Sequence, residues 1–238
     1  MNNVLIGIGV LIVAVLSALF AIPQFVDWNS YCGVIEEEAS RMAGRDVRIG
    51  GGIKLTLLPV PSISIQKLRI ADAATGSGEP LFRADSVDAK LSIAPLVRGV
   101  LEANEIELVK PVLQLVLDDA GRGNWRDLSL GRGTLPFVPN DVALQSVKIT
   151  DGTVSLLDHG GARERLTLDH LAGQLSAPAL KGPYRFRGQF GAEDQRRELQ
   201  FTTVPPDASN AVKFKAVLKD LASGATATFD GRLQTADG

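Results

Sequence analysis

The chain contains a single cysteine, Cys32, so no disulfide can form within it. Asn29, Ser30 and Tyr31 lack the apolar and small residues that precede a lipid-modified cysteine, and we therefore expect Cys32 to be a half-buried residue on a helix. Aromatic residues make up only 5% of the chain, and the formal net charge is −2. This balance predicts a folded protein with no electrostatic attraction to nucleic acid.

Catalytic residue types are also scarce. The two histidines, His159 and His170, each follow an aspartate, but no third metal ligand is indicated and no helical i, i+4 spacing joins them. Ser155 and Ser176 lie near these histidines without the Gly-x-Ser-x-Gly sequence that exposes a nucleophile. The sequence therefore predicts no catalytic residue, no metal site and no cofactor.

The amino-terminal stretch from Val4 to Ile22 has no charged residue. As a helix it would be about 28 Å long, close to the hydrocarbon thickness of a bilayer. We expect residues 1–24 to form an uncleaved transmembrane anchor. A cleaved signal peptide is the alternative, but the run is longer than a usual signal core and offers no good cleavage pair before Pro23.

Residues 25–46 have the pattern of a short amphipathic helix. Pro23 ends the apolar run, Asp27 to Ser30 supply capping residues, and Gly44 is a natural stop. Glu36, Glu37 and Glu38 are expected to be solvated. The apolar residues at helical spacing are Tyr31, Val34, Ile35 and Met42. We expect this helix to cap an apolar end of the following domain; a membrane-surface helix is the alternative, disfavoured by the acidic face.

From Val47 to the end of the chain, apolar and polar residues alternate, which is typical of strands with one wet face. The predicted fold is mainly β: an elongated, curved antiparallel sheet over residues 47–238 that forms an open groove. The residues expected to line the groove are Leu55, Leu57, Ile63, Ile65, Leu91, Ile93, Leu113, Leu115, Val154, Leu156, Phe186 and Phe214.

A weak internal repeat supports this extended sheet. The pattern Ile106-x-Leu108-x-x-Pro111-x-Leu113-x-Leu115 recurs 41 residues later as Val147-x-Ile149-x-x-Gly152-x-Val154-x-Leu156. In both copies two strands meet at a residue that breaks regular structure, Pro111 or Gly152. The repeat predicts hinged units that extend a sheet one after another, although an ordinary β meander also produces such a pattern.

The exposed apolar face of such a sheet requires a cover, and no second amphipathic helix follows Gly44. The aliphatic and glycine-rich inward positions favour a space filled by hydrocarbon, and we therefore expect phospholipid acyl chains as ligands. The alternative is a non-enzymatic scaffold, in which the same face packs as a dry core and the sheet recruits protein partners.

The segment Gly121, Gly123, Asn124 and Trp125 resembles a phosphate-binding loop but lacks the lysine and the following helix of a nucleotide site. We expect a turn instead, in which Asn124 bonds the backbone and Trp125 packs back on the sheet.

Several of these pieces together resemble the AsmA family. They are the uncharged amino-terminal helix, Val26-Asp27-Trp28-Asn29-Ser30-Tyr31, Gly44-Arg45-Asp46-Val47 leading into Ile53 to Pro59, Ala94 to Gly99, and Pro111 to Leu115 leading into Asp118 to Trp125. The resemblance covers residues 4–128. It implies a periplasmic β groove that one helix, residues 4–22, holds in the inner membrane of a Gram-negative envelope. It also implies that the groove supports phospholipid transport to the outer membrane and assembly of the outer membrane. An outer-membrane or periplasmic protein partner is also implied. Because relatives are usually longer, we expect an amino-terminal segment or a shortened member.

Overall fold

Strands dominate the part of the chain that the structure, a computed structural model, describes. These residues are 27–72, 79–92, 103–119, 122–125, 144–158, 163–177, 183–205 and 211–234, together with 4, 6–11, 13, 14 and 17. Within them, twelve strands form one sheet. The strands are β1 Val47–Ile49, β2 Ile53–Thr56, β3 Ser62–Ile70, β4 Phe82–Leu91, β5 Ala103–Val109, β6 Val112–Val116, β7 Leu144–Asp158, β8 Arg163–Ala177, β9 Arg185–Phe190, β10 Arg197–Thr203, β11 Ala211–Asp220 and β12 Thr226–Gln234.

The sheet is mixed, so the prediction of a wholly antiparallel sheet is wrong. Strands β5 and β6 both pair with β7 in parallel, whereas the other neighbouring pairs are antiparallel. The two copies of the internal repeat form these parallel pairs. Ile106 pairs with Val147 and Leu113 with Val154, so the two copies lie side by side in the same direction. The chain between β6 and β7 is long enough for the crossover that a parallel pair requires.

The corner residues of the two repeat copies touch each other. The backbone N–H of Thr153 donates to the carbonyl oxygen of Pro111 at 2.7 Å. A Cβ atom on Gly152 would lie 3.1 Å from Cγ of Pro111 and 2.9 Å from Cγ2 of Ile149. Glycine is therefore favoured at this corner, because Ile149 of the same strand and Pro111 of the neighbouring copy both lie too close for a side chain.

A line of left-handed residues crosses the sheet at this level. Lys67, Lys110, Asp151 and His170 have φ angles of 53°, 49°, 54° and 49°, which non-glycine residues rarely adopt. They lie in β3, between β5 and β6, in β7 and in β8. At each of them the alternation of apolar and polar residues changes by one position. Along β7, for example, the apolar residues are at odd numbers before Asp151, as in Val147 and Ile149, and at even numbers after it, as in Val154 and Leu156. We call this line the crease.

One helix, α1 Cys32–Ala43, lies against β1 at an edge of the sheet. It follows a 3₁₀ turn, Trp28–Tyr31, that is capped by the Asp27 side chain accepting from the N–H of Asn29 at 3.1 Å. It ends at Gly44, whose φ of 65° is left-handed, as the sequence predicts. Asp27 and Gly44 therefore set the two ends of this segment.

Two acidic residues of α1 are less exposed to solvent than the sequence predicts. Glu38 is only 8% exposed, and the Glu36 carboxylate accepts the N–H of Ile49 in β1 at 2.6 Å. The expectation that both are solvated is wrong, because Glu36 accepts a hydrogen bond from β1 and the buried Glu38 forms an ion pair with Arg41. Tyr31 and Val34, which the sequence predicts on the apolar face of this helix, are 53% and 64% exposed and are therefore not buried against the sheet. Ile35 and Met42 are half-buried.

The predicted anchor lies mostly outside the described residues. Its described positions are helical, and their apolar side chains are strongly exposed, Val10 by 64% for example. Among the residues that the structure describes, none of the helices combines the length and the hydropathy that a membrane crossing requires.

Candidate functional site

One face of the sheet carries an unbroken cross-strand row of apolar residues. Each residue is the register partner of the next, so all of them project from the same face. This first apolar row crosses ten strands, from β2 to β12, and consists of Leu55, Ile63, Ala89, Ile106, Val147, Leu175, Phe186, Phe201, Ala216 and Phe229.

A second apolar row runs beside the first on the same strands. It consists of Ile53, Ile65, Val87, Leu108, Ile149, Gly173, Gly188, Leu199, Leu218 and Ala227. A third row lies beyond the crease and consists of Val47, Ile70, Phe82, Leu113, Val154 and Leu168. We call the three rows together the apolar face.

Burial distinguishes this surface from a closed core. Leu55, Leu57, Ile63, Ile65, Leu91, Leu113, Leu115, Val154, Leu156, Phe186 and Phe214 are all half-buried. None of them belongs to the fully buried apolar set, and Phe229, at the end of the first row, is 54% exposed. A side chain packed between two sheets is normally buried, so these residues lack a complete protein cover.

Phenylalanine rings fill the gaps that glycines leave on the apolar face. Cβ atoms built on Gly173 and Gly188 would lie 2.9 Å and 2.6 Å from Cζ of Phe186, so this ring lies over both glycines. The ring of Phe214 covers Gly231 in the same way, and its centroid is 6.0 Å from that of Phe201. The surface therefore stays hydrocarbon-like where side chains are missing.

The opposite face of the same strands is polar and carries paired charges. Lys90 Nζ lies 2.8 Å from Glu105 Oε2, and Lys148 Nζ lies 2.8 Å from Glu107 Oε1. The hydrogen bond to Glu107 and the charge of that carboxylate raise the pKa of Lys148. Gln174 donates to Ser146 on the same face at 2.7 Å. The two faces thus differ sharply in chemistry.

A buried polar cluster ties three distant segments together at one end of the sheet. Arg45 Nη1 lies 3.3 Å from Asp72 Oδ1, and the two side chains are 1% and 4% exposed. Asn124 Nδ2 donates to Asp72 Oδ2 at 2.9 Å, and Arg45 Nη2 donates to the carbonyl oxygen of Asn124. The end of α1, the end of β3 and the turn after β6 therefore meet in this cluster.

The predicted turn residues have distinct places around this cluster. Asn124 bonds the backbone as expected, since its Oδ1 accepts the N–H of Val116 at 3.0 Å. Trp125 lies across Gly123 and is 39% exposed. Gly121 lies outside the described residues, as do Ile93 of the predicted lining set and His159. His170 is bonded to Asp151, with 2.9 Å between Nδ1 and Oδ1.

Sequence reasoning missed several members of the apolar face. Leu199 and Phe201 alternate with Glu198, Gln200 and Thr202, a pattern that would have placed β10 on this face. Leu175 was missed because the alternation in β8 changes at His170. The glycines of the second row carry no hydrophobic signal at all, and their place depends on the Phe186 ring of a neighbouring strand.

Comparison with known proteins adds an independent finding. The model of the AsmA family matches residues 2–189. Protein AsmA of Escherichia coli (strain K12) is 24% identical over 202 residues, which cover 82% of this chain and 32% of that relative. The chain therefore spans about a third of the length of the curated relative it matches.

Proposed function

Because the chain belongs to the AsmA family, we propose that its apolar face is an open groove that holds phospholipid acyl chains. The observation that carries this proposal is the first apolar row, which is continuous over ten strands and whose members are half-buried or exposed except for the buried Val147. At a strand spacing of about 4.8 Å, ten strands give a track of about 43 Å. Such a track is long enough to hold an extended acyl chain.

The energetics favour a lipid over a specific small molecule. Each methylene group transferred from water to an apolar surface contributes about 0.8 kcal/mol, so partial coverage of one tail already supplies several kcal/mol. The apolar rows contain no charged side chain, whereas the opposite face does. A groove of this kind would retain the tail and tolerate different head groups.

The cellular role follows from the family resemblance. We propose that residues 4–22 anchor the protein in the inner membrane, that the sheet lies in the periplasm, and that the groove supports phospholipid transport to the outer membrane and its assembly. No reaction is proposed for this protein. Its work would be binding and guiding of lipid.

Photo-crosslinking tests the groove with neighbouring positions as matched controls. We would place a photo-reactive residue at Leu175 or Ala216 on the apolar face, and at Gln174 or Lys215 on the opposite face. After illumination of living cells, phospholipid adducts detected by mass spectrometry are expected at Leu175 and Ala216 only. Equal labelling of both faces, or no lipid adduct on either, would contradict the proposal.

The same experiment addresses the scaffold alternative. If the apolar face recruits proteins instead of lipid, Leu175 and Ala216 should yield discrete protein adducts and no lipid. Lipid adducts at these two positions, together with none at their neighbours, would support the acyl-chain groove and contradict the scaffold.

A further inference from the structure

The crease borders a cleft of about 610 Å³ that is separate from the first and second apolar rows. Four cationic side chains line it: Lys67, Arg69, Arg83 and Lys110. Three aspartates line it as well, Asp85, Asp151 and Asp169, and Asp151 is already hydrogen-bonded to His170. Cationic groups are therefore in excess around an open space.

Two of these cations face each other across neighbouring strands. Arg69 in β3 and Arg83 in β4 are direct register partners, and both are exposed. They alternate with Leu68, Ile70, Phe82 and Ala84, so they project away from that apolar surface. Like charges placed directly opposite on a sheet repel each other and lower stability.

Arg69 and Arg83 differ from three cations elsewhere on the polar surface in having no carboxylate partner among the described residues. Lys90, Lys148 and Arg48 each lie within 3 Å of a carboxylate oxygen. Within the described part of the chain, neither Arg69 nor Arg83 has an ion-pair partner, although Asp85 is two residues from Arg83. Two guanidinium groups without a carboxylate partner in this part of the chain therefore line the cleft.

We propose that this cleft binds a phosphate group between Arg69 and Arg83, either as inorganic phosphate or as a phosphate ester. Each guanidinium presents a planar fork of donors that matches two phosphate oxygens. A bound phosphate anion between the two arginines would offset their repulsion by attracting both of them. Lys67 and Lys110, at the border of the cleft, supply further positive charge.

Calorimetric titration of the full chain in detergent micelles tests this site. The probes are inorganic phosphate and glycerophosphoethanolamine, which has no acyl tail and cannot report on the apolar face. Saturable binding is expected, and Arg83→Gln or Arg69→Gln should weaken it about tenfold or more, since each removes charge-assisted hydrogen bonds. Arg185→Gln, which removes an exposed cation on β9, is the matched control and should leave affinity unchanged.

The two probes separate the sources of the phosphate. Equal affinity for both indicates free phosphate, and tighter binding of the ester indicates a head group; either result supports the site. Loss of binding in Arg185→Gln to the same degree, or no saturable binding of either probe, would overturn it.

Stability of the unliganded variants provides the second readout. Arg83→Gln should leave the thermal midpoint unchanged or raise it, because it removes a repulsion. A lowered midpoint would show that the arginine pair serves the fold and would also overturn the proposal. Neither result bears on acyl-chain binding by the apolar face.

Discussion

Single residues decide how the amino-terminal end of the sheet is held. Arg45 and Asp72 form an ion pair that is almost completely buried, and Asn124 completes it by donating to Asp72. Breaking a buried ion pair from one side leaves the other charge without compensation, which costs far more than losing an exposed pair. The cluster also gives a physical reason for two of the family-like motifs, since Gly44-Arg45 and Gly123-Asn124 meet there.

Arg45→Ala should lower the free energy of unfolding by about 3–5 kcal/mol, because it leaves the Asp72 carboxylate buried without its partner. Arg48 lies three residues after Arg45 and forms an exposed ion pair with Asp46, so Arg48→Ala should cost less than about 1 kcal/mol. Urea denaturation of both variants in detergent micelles measures the difference. Similar losses in the two variants would contradict the importance of the cluster.

Gly188→Ala should destabilise the sheet by about 1–3 kcal/mol, because the added methyl group collides with the Phe186 ring and the backbone of Ala172. Gly33→Ala in α1 is the control. Nothing lies within 4 Å of a Cβ at Gly33, and alanine is the better helix former, so this variant should gain about 0.5–1 kcal/mol. Thermal unfolding of the two variants should therefore shift in opposite directions.

At the scale of elements, α1 protects an edge of the sheet. The N–H groups of Val47 and Ile49 in β1 donate to Ser40 Oγ at 2.8 Å and to Glu36 Oε1 at 2.6 Å. An unpaired strand edge is a template for unwanted pairing with other chains, and a helix whose side chains accept those N–H groups removes the hazard.

Glu36→Ala should increase hydrogen exchange at the amide of Ile49, since the N–H then loses its acceptor, with a cost of about 1–2 kcal/mol in local stability. Glu37→Ala is the matched control, because Glu37 is its neighbour on α1 and its side chain is 75% exposed. Exchange at Ile49 that is equally fast in both variants would refute the edge-protection role. Mass spectrometry of deuterated peptides gives the readout.

The β11–β12 hairpin depends on an ionised carboxylate. The Asp220 side chain accepts the N–H groups of Ser223 and Ala222 at 2.8 Å and 3.1 Å, and these hydrogen bonds, led by the backbone of Ser223, hold its pKa below the ordinary value of 3.8. A lowered folded pKa means that the stabilisation is complete above the unfolded pKa and is lost as the pH falls through the folded pKa.

Amide exchange at Ala222 and Ser223, followed as the pH falls below 3.8, should therefore show loosening of this turn relative to the intrinsic rates. Asp220→Asn removes the ionisation and should abolish that pH dependence. A turn that responds to acid identically in the two proteins would mean that another group controls it.

For the whole molecule, the distribution of apolar side chains distinguishes an open apolar surface from a closed core. Leu115 in β6 is half-buried and pairs with Leu156 in β7, whereas Val116 beside it is 4% exposed. Eleven apolar side chains in the described residues are buried, including Val147 and Ile53 of the first two rows, but the predicted lining residues are not among them. A sheet with this profile leaves contiguous apolar side chains partly exposed, which is typical of a binding site.

Leu115→Asp should reduce co-purifying phospholipid several-fold while the protein remains folded, because a half-exposed carboxylate can keep its water but repels an acyl chain. Gln114→Asp, the neighbouring position on the other face, should leave lipid content unchanged. Lipid mass spectrometry and circular dichroism together give the result. Global unfolding of Leu115→Asp would indicate a dry core instead.

The alternation of apolar and polar residues along the chain determined the strands, their wet and dry sides, and the repeat with corners at Pro111 and Gly152, because side-chain direction in a strand depends only on local order. Tertiary structure alone decided the parallel pairing of β5 and β6 with β7, since no local pattern specifies strand direction. It likewise decided the burial of Glu38, the meeting of Arg45 with Asn124 and the opposition of Arg69 and Arg83. These contacts join residues far apart in the chain, and their energies arise only when the strands are placed side by side.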